Sequence, residues 1–159
     1  MFTLTRRSLI AAAAAVPAVT LISKVSWADE QSPLIYITPI KTNGEESACQ
    51  AEVWYLGDGD NMYVVTDATT WRAKAVGQGL ASARIWVGDV GVWKSANGKY
   101  KDLPQVDASA SFETDAAEHV RVLELFGLKY SAEWGKWGPR FSNGLADGSR
   151  VMLKYSAAA

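Results

Sequence analysis

One pair of segments constrains the fold more than any other. In Gln50–Leu56, the residues Ala51, Val53 and Tyr55 alternate with Glu52, Trp54 and Leu56, and Gly57-Asp58-Gly59-Asp60-Asn61 leads into Met62–Thr66. A period of two is the signature of a strand with two different faces, and a Gly/Asp/Asn turn between two such runs closes an antiparallel hairpin. A lone hairpin is barely stable in water, so this one needs more strands beside it. The sequence offers them at Leu34–Ile40, Ala83–Val87, Val90–Lys94, Gln105–Phe112 and Arg150–Tyr155. Pro39 argues against a central position for the first of these. A short helix is expected from an Asp67 or Thr69 cap to about Gly77, and a longer one from a Thr114 cap to about Tyr130. Glu133–Asn143, rich in Gly and Trp, reads as a loop. Short strands, tight turns and two helices predict a mainly-β α+β chain, with the sheet closed or partly closed into an antiparallel barrel so that few edges remain.

The first 28 residues belong to a different problem. Thr5-Arg6-Arg7-Ser8-Leu9-Ile10 precedes the apolar run Ala11–Val19, then Lys24, then Ser26-Trp27-Ala28. Paired arginines, an apolar run too short to span a bilayer and a small-x-small site make a twin-arginine export signal. The expectation is therefore a cleaved segment, 1–28, followed by one domain, 29–159. The product would be periplasmic or otherwise exported, would engage the twin-arginine translocase in transit, and would keep no membrane anchor after cleavage. That route carries folded proteins, which raises the expectation of a cofactor inserted beforehand.

Charge and cysteine content narrow the partners. The whole chain carries a formal net charge of −1, and Arg6, Arg7 and Lys24 all lie in the signal, so the remainder is more acidic still. A nucleic-acid partner is not expected of such a surface. The single cysteine, Cys49, rules out an intramolecular disulfide and reads as a structural or semi-exposed thiol. The chain has seven tryptophans. They suit either a small barrel core or a pocket for a planar ligand.

The best site candidate is the start of the short helix. Free backbone N–H groups there meet the hydroxyls of Thr69 and Thr70 and the positive charges of Arg72 and Lys74, a combination suited to phosphate. An ordinary exposed helix with surface charges explains the same residues.

The stretch Tyr63-Val64-Val65-Thr66-Asp67-Ala68-Thr69-Thr70-Trp71-Arg72-Ala73-Lys74 resembles the strand-turn-helix of the pyridoxamine 5′-phosphate oxidase-like split barrels. The order of later elements is similar too, and Gly127-Leu128-Lys129-Tyr130 resembles the close of the long helix in deazaflavin-type members. The resemblance spans roughly residues 50–155. It implies a split β-barrel, usually a homodimer, that binds FMN or the deazaflavin F420; some split barrels bind haem. It assigns the cofactor phosphate to Thr66, Thr70, Arg72 and Lys74, with Thr69 and Trp71 in the same turn. The expected activity is an FMN- or F420-dependent oxidoreductase acting on a small molecule, with no protein acid or base required. The alternatives are a non-catalytic module for haem or another planar ligand, and a barrel without cofactor. Two departures favour the alternatives. Gly79-Leu80-Ala81-Ser82 replaces the usual Asn-Pro, and Val76, Gly77 and Gln78 replace further basic residues.

Other chemistries lack their residues. His119 is the only histidine and has no nucleophile elbow beside it. It reads as a helix surface residue, with axial haem ligation as the alternative. A zinc site lacks ligands. Gly57–Asn61 has the look of a calcium loop but no closing glutamate, and a hairpin turn explains it.

Overall fold

In the computed structural model, Trp27 and residues 31–158 are described. The twin-arginine motif and the apolar run after it lie outside the described residues. The described chain forms seven strands, β1 (Ile35–Pro39), β2 (Ala51–Val53), β3 (Leu56–Asp58), β4 (Asn61–Asp67), β5 (Ser82–Val87), β6 (Gln105–Glu113) and β7 (Arg150–Ala157). Three α-helices accompany them, α1 (Trp71–Gly77), α2 (Ala116–Lys129) and α3 (Ser131–Asp147), with one 3-10 turn at Lys99–Asp102.

All seven strands join one sheet in the order β2-β1-β5-β6-β7-β4-β3, and every pairing is antiparallel. The two ends of that order are joined in sequence, because only Trp54 and Tyr55 separate Val53 from Leu56. Three residue steps span at most about 11 Å. The sheet must therefore curl until its edges are neighbours, without β2 and β3 pairing. That is a split barrel, as expected.

The alternation of each strand fills both surfaces of the curl. Ile35 and Ile37, Met62 and Val64, Ala83 and Ile85, and Leu153 and Tyr155 point inward to one buried cluster. Trp27 lies in the same cluster at 1% exposure, and its N–H donates to the Gly59 carbonyl at 2.9 Å. Outside the barrel, Tyr63, Val65 and Met152 meet Val122, Phe126 and Tyr130 of the α2 end and Phe141 of α3. On the other flank, Tyr36, Trp86 and Tyr100 form a third cluster with Val90, Trp93 and Leu103.

Several elements differ from the sequence reading. Pro39 ends β1, which is an interior strand, but β2 pairs only with Ile35–Ile37, so the missing N–H falls beyond that partner's reach. The continuous strand expected over Gln50–Leu56 breaks at Trp54-Tyr55, the corner that lets it serve both edges. No strand forms at Val90–Lys94. Gly88 and Gly91 there have φ of +150° and +82°, and Asp89 Oδ1 accepts from the Gly91 N–H at 2.9 Å. Backbone turned this way cannot join a ladder. Helix α1 is capped at Thr70 rather than Asp67 or Thr69, with no side-chain cap. Helix α2 is capped by Asp115 rather than Thr114, its carboxylate accepting from the Glu118 N–H at 2.8 Å.

The largest difference is α3, where a loop was expected over Glu133–Asn143. Gly and Pro weaken a helix through propensity, yet here they are packing devices. A Cβ on Gly138 would lie 2.9 Å from the Trp134 indole, and one on Gly127 of α2 would lie 2.7 Å from it. Tryptophan thus replaces side chains on two helices. Pro139 inside α3 removes one helical hydrogen bond. The residue before it is glycine, so the steric conflict between a proline ring and a preceding Cβ does not arise.

Candidate functional site

The seam of the barrel has a cavity of about 350 Å³. Its walls come from four places that the curl brings together: Val53 and Trp54 at the corner, Val65, Thr66 and Asp67 at the end of β4, Thr70 and Arg72 at α1, and Trp137, Phe141 and Arg150 at α3 and β7. The topology dictates this gathering. β4 ends at Asp67, opposite Arg150 where β7 begins, and the same turn starts α1.

The aromatic wall is closely stacked. Trp54 stacks on Tyr130, with ring centroids 4.3 Å apart and planes within 6°. Edge contacts tie it to Trp137 at 6.0 Å and to Phe141 at 6.5 Å. Tyr130 is itself pinned. Its hydroxyl accepts from the Tyr55 N–H at 3.1 Å and reaches the carbonyls of Pro33 and Tyr55, each at 2.9 Å. Burial pushes this phenol up to about 12, against the lowering effect of the Tyr55 backbone hydrogen bond. It stays neutral and structural at any physiological pH.

The polar wall is unbalanced. Arg72 is only 7% exposed, and its Nε is buried with no hydrogen-bond partner. No acidic side chain forms an ion pair with it among the described residues. Arg150 has a looser partner in Asp67, 3.5 Å away, and lies over the Phe141 ring at 5.4 Å. Thr66 is 5% exposed, and its hydroxyl sits 3.3 Å from that of Thr70. Thr70 donates to the Asp67 carbonyl at 2.8 Å, so the proton between the two hydroxyls is that of Thr66. Rotating Thr66 would redirect this proton toward a bound acceptor. Two guanidinium groups against one carboxylate leave an anion-seeking end next to a flat apolar wall.

Thr66, Thr70 and Arg72 thus line one cavity. Thr69, Trp71 and Lys74 do not line it, and all three are exposed. Helical geometry separates Arg72 from Lys74, since residues two apart on a helix point to different faces. Trp54, Trp137, Phe141 and Arg150 are wall residues that the sequence reading did not assign. A signal for two of them was present. Trp134, Trp137, Phe141 and Leu145 recur at steps of three, four and four, which is one face of a helix.

His119 lies elsewhere. Its Nε2 is 2.7 Å from the Glu113 carbonyl, tying α2 to the end of β6, and it is not in the cavity wall. Asp58 of the supposed calcium loop pairs with Arg121 at 2.6 Å, and Gly57–Asn61 is the β3–β4 hairpin.

No protein-family model matches the sequence, and no curated protein matches it. Solved structures do share the fold. A pyridoxamine 5′-phosphate oxidase candidate from Listeria innocua is 14% identical, with a TM-score of 0.52 over 81% of this chain and 86% of its own. HutZ, a haem storage protein from Vibrio cholerae, is 12% identical, with a TM-score of 0.54 over 80% of this chain and 82% of its own. A general stress protein 26 from Bacillus anthracis is 14% identical, with a TM-score of 0.51 over 79% of this chain and 80% of its own. At these identities the likeness is one of fold.

Proposed function

We propose that this chain binds a planar, anionic cofactor of the flavin class, FMN or F420, at the barrel seam and with it acts as an oxidoreductase on a small molecule. The observation that carries the reading is Arg72. An arginine buried without a partner is costly, by several kcal/mol for an isolated charge. A phosphate oxygen accepting from its guanidinium would offset that cost. The residues fit such a group: Arg72 and Arg150 for the anion, Thr66 for one further hydrogen bond, Trp54 and Trp137 as a flat apolar surface. The flavin supplies hydride and electron transfer when bound. The chain's part is to orient it, to neutralise its phosphate and to exclude water from one side.

Haem suits the wall less well. The cavity residues include no His, Cys, Met or Tyr to ligate iron, and His119 is engaged with Glu113. The cavity is also at the small end of small-molecule sites. A flavin seated here would be only partly enclosed by one chain, which supports a homodimer in which a second copy covers the rest. The twin-arginine pattern supports export of the folded, loaded protein to the periplasm.

The test is a fluorescence titration of FMN and of F420 with purified protein. Binding of either should weaken at least tenfold in Arg72→Ala, and only partly recover in Arg72→Lys, which keeps the charge but loses the planar fork. Equal affinity in all three proteins would remove the site.

A further inference from the structure

The barrel interior contains a residue from the segment that the export pattern would discard. Trp27 is 1% exposed among inward-facing side chains of β1, β4, β5, β6 and β7. Three of the wall positions in that cluster, Ala83, Ala108 and Ala110, are alanine, so the strands leave room that a large ring fills. The backbone is fixed as well, by the hydrogen bond from the Trp27 N–H to the Gly59 carbonyl.

Gly57 carries the argument further. It has no positive φ, so no turn requires glycine there. A Cβ at this position would run into the Trp27 carbonyl oxygen and lie 2.9 Å from the Trp27 Cβ. The neighbouring positions of β3, Leu56 and Asp58, both carry side chains. Glycine at 57 is thus explained by the passage of the Trp27 backbone. The indole N–H has no partner, but burying an aromatic ring of this size outweighs one unpaired neutral donor.

We infer that Trp27 is a permanent core residue of the mature domain, so that any removal of an N-terminal segment occurs before Trp27 rather than after Ala28. Cleavage after Ala28 would take the ring out of the barrel and leave a void the size of an indole, with Gly57 and the small wall residues serving nothing.

The experiment is to express the full chain in a bacterium with a twin-arginine system and determine the intact mass and first residue of the folded protein recovered. A chain that still includes Trp27 is expected, whether or not a leader has been removed, so failure of the export reading is seen separately. Folded protein beginning at Ala28 or Asp29 would overturn the inference. In the same full-length background, Trp27→Ala should lower the unfolding midpoint by on the order of 10 °C. Gly57→Ala should lower it too, and the double variant should lose less than the sum. An unchanged midpoint in Trp27→Ala, or simple additivity, would equally count against it.

Discussion

The outside of the barrel carries two aromatic flanks, and they are built to different ends. Under the 88–104 segment, Tyr36 and Tyr100 stack at 5.2 Å, and Trp86 meets Tyr100 edge-on at 5.1 Å. All three are nearly inaccessible, at 0%, 4% and 1% exposure. The Tyr36 hydroxyl donates to the Gly91 carbonyl at 2.6 Å and accepts from the Val90 N–H at 2.8 Å. Under α2 and α3 the rings are as well stacked, but the layer opens at the seam onto Arg72. Each flank holds a buried N–H without a partner, Trp86 Nε1 in one and Arg72 Nε in the other. The first is neutral and costs little beside what its ring contributes. The second belongs to a cation, for which the cost is several-fold larger. A closed flank with a neutral defect is structure. An open flank with a charged defect is where the proposed cofactor is placed.

That contrast can be broken at several points. Trp86→Ala should cost about 3–5 kcal/mol of unfolding free energy and leave FMN affinity unchanged, read by denaturant melts and by titration. Arg72→Met should do the reverse. Removing an unpaired buried charge should stabilise the ligand-free protein by about 1–3 kcal/mol while binding is lost, and a destabilised Arg72→Met would mean that the arginine serves the fold. Tyr36→Phe should cost about 1–2 kcal/mol, because the Val90 N–H and Gly91 carbonyl lose their partner, again with no change in binding. The smallest effect is electrostatic. Glu118 is held down to about 2, first by Arg121 and then by the Tyr63 hydroxyl. A carboxyl depressed in the folded state stabilises it above the ordinary carboxyl range, and this contribution is lost as pH falls from about 4.5 toward 2. Arg121→Gln should flatten the stability profile in that window and nowhere else, as measured by denaturant melts across pH. A profile as steep as that of the parent would show that this carboxylate is not what the acid limb reports.

Much of this was readable from the residues. Alternation located the hairpin, and runs bounded by turn residues located β1, β5, β6 and β7; which side faces inward comes from the curl. Arg72 was read from the charges at the helix start and Thr66 from the family resemblance, and both line the seam cavity. The wall as a whole was not: the helical spacing of Trp137 and Phe141 was visible, but Trp54, Trp137, Phe141 and Arg150 come together only through the curl. Helix α3 was hidden by its glycines, whose helix cost is local while the Trp134 packing that offsets it is tertiary. Val90–Lys94 misled in the opposite direction. Val90 and Trp93 pack on the Tyr36–Trp86 cluster from a looped backbone while Val92 is exposed, and an apolar run alone does not distinguish that from a strand.

The corner at Trp54-Tyr55 has a further consequence, for solubility. An open sheet exposes two rows of unpaired backbone groups to any passing strand, and these are where chains aggregate. Here the two outermost strands, β2 and β3, are three residues each and belong to one continuous stretch folded over itself. An incoming strand finds too short a template on either side. Lengthening the corner would let the edges drift apart, and the first symptom should be intermolecular strand pairing before any loss of the core.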